Sequence, residues 1–263
     1  MVRIPKYYEV PNYEVKFGND KNHDYCVVIF VINEGTKLLA QLERMSAIEI
    51  AADIVISDGG STDGSTEISI LKKNNVNTLL VKKDSGKLGS QMRIAFSWAM
   101  EKGYKGVIVI DGNNKDSVES IPEFINKLRE GYDHVQGSRF IPGGKAINTP
   151  TSRMIGLKLI HIPVMRLASG YRFTDTTNGF RAYSSNLLLN NDVSLFRDIF
   201  NGYELHYYLA VRSIKVGLKC VEIPVIRRYP SKGKVPTKIS PILGNIEVIK
   251  KLLLVALGFY NPK

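Results

Sequence analysis

The chain has 263 residues, 44% of them hydrophobic, enough for a sizeable core in one large domain or a domain with an appendage; a disordered or repeat protein is excluded. Its net charge of +11, from 36 Lys and Arg against 25 Asp and Glu, points to an anionic partner: nucleic acid, nucleotide phosphates or an acidic membrane surface. No uninterrupted apolar run approaches the roughly 18 residues that a membrane-spanning helix needs, and MVRIPKYYEVPNYEVKF at the N-terminus is too polar for a signal peptide.

Residues 1–24 have no clear period and read as an N-terminal extension. From Tyr25 the pattern becomes regular. YCVVIFVI is a buried strand; Leu38, Leu39, Leu42 and Met45 then recur at helical spacing, which predicts a helix packed on a sheet. DIVIS is a second strand followed by DGGSTDGS, and NTLLV a third that leads through KKDSGKLGS into a helix, SQMRIAFSWAMEKG. Val107–Asp116, VIVIDGNNKD, has four β-branched residues in a row before Asp, Gly and two Asn, the pattern of a central strand ending in an acidic turn. Strands alternating with helices imply right-handed crossovers and a mostly parallel central sheet flanked by helices.

Ser120 and Glu123 stand at capping-box spacing with Pro122 in the first turn, which starts a helix to about Arg129. DHVQGSRF is a further strand and turn, and IPGGKAINTPTSR reads as a long aperiodic loop. A helix from about Arg153 to Ala168, the turn TDTTNGFR, a helix from about Glu204 to Val216 and the strand LKCVEIPVI complete the globular part. Cys26 and Cys220 both fall in strands and read as free thiols of a reducing cytoplasm. His134, His161 and His206 have no ligand spacing and read as structural, as does Trp98. No aromatic and basic interleaving suggests nucleic-acid binding.

Three polar features fall at the carboxyl ends of successive strands, where ligands collect in open α/β sheets: Asn33 with Glu34, Asp58 with Asp63, and Asp111 with Asn113 and Asp116. Carboxylates and amides are hard oxygen donors suited to Mg²⁺ or Mn²⁺, and such an ion could bridge a diphosphate. Asp58 is alternatively a partner for a base or ribose, or a turn residue of DGG.

With these motifs in order, the chain resembles a family 2 glycosyltransferase of the GT-A nucleotide-diphospho-sugar transferase fold, most of all its polyprenyl-phosphate (dolichol-phosphate mannose or glucose synthase) branch. The resemblance covers about Tyr25 to Ser240. FVINEG matches the strand ending in Asn-Glu, and ISDGGSTDGS the nucleotide-contacting turn. GKLGSQMR matches the Gly-rich segment ending in Arg, and QGSRFIPGG the Gly-Ser-Arg turn. TDTTNGFRAY matches the Gly-Phe-Arg segment, and VEIPV with TKIS the closing strand and Ser/Thr-Lys turn. The resemblance implies that Asn33, Glu34, Asp58, Gly86, Arg93, Asp111, Gly112, Asn113 and Lys115 bind the nucleotide sugar. It implies that Arg139, Arg153, Arg181, Arg228 and Lys238 hold the diphosphate or a phosphate acceptor, since guanidinium groups clamp phosphate bidentately. Asp111, Arg139 and Asp175 are the implied catalytic set, with inversion at the anomeric carbon. Asp175 would act as general base toward a sugar hydroxyl, whereas an already ionised phosphate needs positioning more than deprotonation.

Where the family carries Asp-Ala-Asp-Leu-Gln, this chain reads DGNNK. The second carboxylate is Asn113 and the Gln position is Lys115. Two readings follow: Mg²⁺ or Mn²⁺ weakly held on Asp111 and Asn113, or Lys115 itself neutralising the diphosphate. Residues 25–238 form the transferase domain on this reading, and 239–263 a C-terminal amphipathic helix. That helix lies in a membrane interface with the basic residues before it drawn to anionic headgroups, or packs on the domain or on a second subunit of a homo-oligomer. The expected reaction moves a sugar from a nucleotide-sugar donor, uridine or guanosine based, to a polyprenyl phosphate at the cytoplasmic face of the cell membrane. The alternatives are a glycan hydroxyl as acceptor in polysaccharide or glycolipid synthesis, and a non-catalytic nucleotide-sugar binding protein.

Overall fold

In the computed structural model, which describes residues 8–231 and 243–262, the chain opens with a strand, β1 (Tyr13–Gly18), inside the segment that has no sequence period. It pairs antiparallel with β4 at the sheet edge. β2 (Tyr25–Val31) is buried at every position and leads into α1 (Thr36–Ser46), whose Leu38, Leu42 and Met45 face the sheet. β3 (Asp53–Asp58), a short α2 (Ile68–Lys73) and β4 (Val76–Lys82) follow, then α3 (Leu88–Glu101) and the central β5 (Gly106–Asp111). A 3-10 turn at Val118–Ser120 precedes α4 (Ile121–Arg129). The expected capping box is not formed: the 3-10 turn holds Ser120 in a helical conformation, and its hydroxyl pairs with that of Ser117 instead of a helix N–H.

β6 (His134–Ser138) is followed by β7 (Lys145–Ile147), a short strand within the segment read as an aperiodic loop. The helix expected from about Arg153 to Ala168 is α5 (Thr151–Gly156), a π-helical turn at Leu157–His161, and α6 (Ile162–Ser169). Pro163, in the first turn of α6, has no N–H to continue the ladder, which accounts for the irregular turn before it. β8 (Arg181–Ser184) begins at the last residue of the turn TDTTNGFR and is a strand that the sequence pattern does not show, followed by α7 (Ser185–Leu188), α8 (Glu204–Lys215), β9 (Cys220–Pro224), β10 (Ile226–Arg228) and α9 (Leu243–Ala256).

The main sheet has the order β1-β4-β3-β2-β5-β8-β6-β9, with β8 antiparallel to both neighbours and β1 antiparallel at the edge; the other pairs are parallel. β10 and β7 form a separate parallel pair. The period of two along β2 and β5 divides the core between the two faces of the sheet. Val28, Phe30, Val107 and Val109 pack with α3, α8 and Leu252 of α9. Val27, Ile29, Ile108 and Ile110 pack with α1 and α4. This mixed α/β sheet, flanked by helices on both faces, brings the carboxyl ends of β2, β3 and β5 to one rim.

Candidate functional site

The rim is stitched together by side chain to backbone hydrogen bonds. Asn33, in a left-handed turn at φ 50° that Asn tolerates, accepts from the Thr62 N–H at 2.8 Å, and its own N–H donates to Ser61 Oγ at 3.0 Å. Asp63 Oδ2 accepts from the Gly35 N–H at 2.8 Å. The loops after β2 and β3 thus fix each other. Asp58 is buried: its Oδ1 accepts from the N–H groups of Gly60 and Ser61 and from Ser61 Oγ at 2.7–3.0 Å, and its Oδ2 from Thr66. It shapes the turn rather than facing open space. From α3, Gln91 Nε2 donates to the carbonyls of Val31 and Ser57 at 3.1 and 2.9 Å, tying that helix to both strand ends.

A cleft of about 1070 Å³ opens along this rim. Of the residues singled out in the sequence, Asn33, Glu34, Gly86, Asp111 and Asn113 line it, together with Lys115, Arg139, Arg153 and Arg181. Asp58, Gly112 and Asp175 stand behind its wall. Arg93 is buried in α3, where it donates to the carbonyls of Phe200 and Glu9. Arg228 points to solvent from the outer face of β10. Lys238 lies outside the described residues.

Arg139 and Arg181 are engaged in the wall and floor of the cleft. Arg139 grips Asp175 with Nε to Oδ2 at 2.6 Å and Nη2 to Oδ1 at 2.9 Å, and Asp175 is fully buried. Burial lowers the Arg139 pKa, but Asp175 outweighs it and the net shift is upward. Glu222 in turn accepts from the N–H groups of Thr174 and Asp175 at 3.0–3.1 Å and sets the loop that carries Asp175. Removing one partner of such a buried pair costs about 3–5 kcal/mol. Arg181 donates to the carbonyls of Asn178, Thr176 and His206 at 2.6–2.9 Å and closes the floor.

The middle of the cleft is built by β10. Alternation along the strand sends Val225, Arg227 and Tyr229 inward and Arg228 outward. Arg227 hydrogen-bonds Asp116 and reaches Asp111 Oδ2 at 3.3 Å. Burial pushes the Asp116 carboxyl up, and Arg227 opposes that shift. Lys115 lies 5.1 Å from the centre of the Tyr229 ring; burial, then Arg227, lowers its pKa. Arg153 donates to the Tyr229 hydroxyl at 3.0 Å. Burial alone would raise the Tyr229 phenol, but Arg227 and Arg153 bring it below its ordinary value. On the opposite wall Tyr203 is pushed up to about 12 by burial and by Asp111. Arg227, expected among the basic residues drawn to anionic headgroups, is instead buried against Asp116. Tyr229 and Tyr203 were not singled out, and the alternating pattern of VIRRY was the available signal for Arg227 and Tyr229.

The pair Asp111 and Asn113 offers a divalent ion one carboxylate already shared with a guanidinium, and an amide whose Nδ2 faces that carboxylate at 3.3 Å. Asn113 Oδ1 is buried and has no hydrogen-bond partner among the described residues. Among the described residues no three His, Cys, Asp or Glu side chains converge on a metal position. As arranged, this donor set does not fit a tightly held divalent ion.

Residues 26–191 match the sequence profile of Glycosyl transferase family 2. An undecaprenyl-phosphate mannosyltransferase of Micrococcus luteus is 30% identical over 202 residues, covering 75% of this chain and 81% of that protein. A polyprenol monophosphomannose synthase of Mycolicibacterium smegmatis is 27% identical, covering 76% and 75%. A dolichyl-phosphate hexose transferase of Haloferax volcanii is 27% identical, covering 89% and 94%. Among solved structures, glucosyl-3-phosphoglycerate synthase from Mycobacterium tuberculosis, in complex with Mn²⁺, UDP and phosphoglyceric acid, superposes with a TM-score of 0.64 at 17% identity. It covers 91% of this chain and 79% of that one, a likeness of fold.

Proposed function

The chain belongs to glycosyl transferase family 2, and on that premise we propose that it moves a hexose from a nucleoside-diphosphate sugar to a polyprenyl phosphate, with inversion at the anomeric carbon. The observation that carries the choice of acceptor is the state of the carboxylates. Every carboxylate among the described lining residues is paired: Glu34 with Lys37, Asp111 with Arg227, and Glu247 with Lys87 and Lys251. Asp175 is sealed behind Arg139. A sugar hydroxyl needs a base to become a nucleophile, and none is free there. A phosphate monoester arrives ionised and needs only cations to place it, and Lys115, Arg153 and Arg227 gather around Tyr229 for that purpose.

In this reading the turns held by Asn33, Asp58 and Asp63 receive the nucleoside, and Gly86, just before α3, lines the cleft beside them. The cations meet the diphosphate and the incoming phosphate. As the bond from sugar to diphosphate breaks, negative charge grows on the leaving oxygen, where prearranged positive groups lower the barrier. Asp175 acts as a positioning residue that fixes Arg139 at the cleft wall. The names of the three enzyme relatives support the lipid-phosphate acceptor.

An anionic bilayer surface is the expected working place. α6 packs on α9, and both leave large apolar side chains in solvent: Leu167 on α6 is 85% exposed and Ile246 on α9 59%, with Phe259 in the turn after α9 at 71%. Residues 150–174 contain no acid, whereas Arg153, Lys158, Arg166 and Arg172 are exposed there. Apolar and basic groups together on helices suit an interfacial contact. Among the described residues no helix is long and apolar enough to cross a membrane.

The test is release of nucleoside diphosphate from a panel of UDP- and GDP-sugars, with and without a polyprenyl phosphate in detergent. Release from one donor that requires the lipid, with a sugar-phosphate-lipid product, is the expected result. Release driven instead by a soluble glycan would replace the acceptor, and donor binding with no transfer to either would leave a nucleotide-sugar binding protein.

A further inference from the structure

We propose that Arg227 is the resident cation of this site: its guanidinium ties Asp111 to Asp116 and, with Lys115, supplies the positive charge that a nucleoside diphosphate meets, so that binding does not depend on a divalent ion. The inference rests on the nucleotide-sugar reading of the cleft.

The guanidinium is held in place from both ends. Asp116 and Arg227 form an antiparallel bridge. On one side of it the Ser117 N–H donates to the Ile226 carbonyl at 2.8 Å and the Ile226 N–H to Ser117 Oγ at 2.9 Å. On the other, the Arg228 N–H donates to the Lys115 carbonyl at 2.8 Å. The turn after β5 is therefore zipped onto β10 around Arg227, and strand alternation leaves its side chain one direction, toward Asp111. Asp116 is buried, so the guanidinium that neutralises it cannot leave without stranding a charge.

The charge balance points the same way. Asp111 and Asp116 contribute two negative charges, and Arg227 and Lys115 two positive. Arg153 adjoins and makes the group net positive before any ligand enters. A second carboxylate at position 113 would cancel that charge; Asn113 does not. The Asn113 amide instead donates to Asp111 Oδ2 at 3.3 Å, beside the Arg227 contact to the same oxygen. An incoming diphosphate then finds two hydrogen-bond-donating cations already oriented, and the charge that develops on the leaving group falls on Arg227 and Lys115.

The deciding experiment is calorimetric binding of UDP and of GDP to the full chain in excess chelator and in saturating Mn²⁺, with electron paramagnetic resonance of Mn²⁺ as a second readout. The wild-type affinity for the nucleotide that binds should differ by less than about threefold between the two conditions. Arg227→Gln should weaken binding in chelator by about tenfold or more, and Mn²⁺, newly visible as a bound signal at the freed Asp111, should restore part of it. Because Arg227→Gln strands Asp116, the double variant Asp116→Asn with Arg227→Gln removes the pair together and should show the same loss in chelator while remaining folded. Wild-type binding that collapses in chelator and returns with Mn²⁺, or a double variant that binds in chelator as the wild type does, overturns the proposal and leaves the nucleotide-sugar reading intact. Absence of UDP and GDP binding in every condition overturns both.

Discussion

His134 stacks on Tyr183, with ring centroids 5.4 Å apart, and neither of its ring nitrogens has a hydrogen-bond partner among the described residues. Burial, and then the charge of Arg181, pushes its pKa down to about 3, and burial pushes His161 down to about 4. In the unfolded chain both return to about 6.5. Between these values the unfolded state binds protons that the folded state refuses, so stability falls as pH drops below about 6.5, by about 1.4 kcal/mol per pH unit for each histidine. The urea midpoint should therefore decline from about pH 7 to pH 5, and His134→Phe should decline less steeply. An unchanged slope in the variant would remove His134 as a source. The sequence reads His134, His161 and His206 as structural; His134 is buried away from the cleft, whereas His161 and His206 line it. The partnering of the arginines was not legible there: two adjacent residues, Arg227 and Arg228, differ in role because one strand face meets the cleft and the other meets water.

The start of α3 is where element-scale packing governs the donor end. A Cβ on Gly89 would fall 2.7 Å from the Phe200 carbonyl oxygen and the Asn201 carbonyl carbon, both backbone atoms. The Gly89 N–H donates to the Asn201 carbonyl at 3.0 Å, so helix and loop touch along their main chains. Gly89→Ala must push α3 away from residues 200–202, with an expected cost of about 1–3 kcal/mol. Gln91 then loses its hold on Val31 and Ser57, and donor affinity should fall together with the melting temperature. A Gly89→Ala variant that melts with the wild type would show that the loop yields instead. α1 was readable from its apolar period, α4 from Pro122 and the capping-type residues at its start, and the strands β2, β3 and β5 from their continuous apolar runs. β1, β7 and β8 were not, because short strands at edges or between antiparallel neighbours carry too few residues to show alternation and owe their form to partners far along the chain.

At the scale of the whole molecule, α9 uses two faces. Leu252 and Val255 join the core, and Lys251 pairs with Glu204 at 2.6 Å, while Ile246 and Leu253 on the same helix remain 59% and 44% exposed, as do Leu257 and Phe259 in the turn after it at 73% and 71%. The helix therefore packs on the domain and still presents apolar groups outward beside α6. Flotation with vesicles containing anionic lipid should carry the protein upward at low salt. Replacing Leu167, Leu257 and Phe259 together by Ser should weaken that association by about tenfold or more, since each buried apolar side chain contributes about 1.5–3 kcal/mol at full burial. Equal flotation of the triple variant would assign the association to charge alone. Residues 232–242, with Lys238, lie outside the described residues. By itself the sequence determined the α/β class, the parallel strands of the first half and the polar residues at their carboxyl ends, because hydrophobic period and turn chemistry are local. Only the tertiary structure decided which charges face each other. Asp111 and Asp116 meet Arg227, and Arg139 meets Asp175, through strand and loop pairings between distant segments; the energy of a buried charge depends on the partner that packing brings to it.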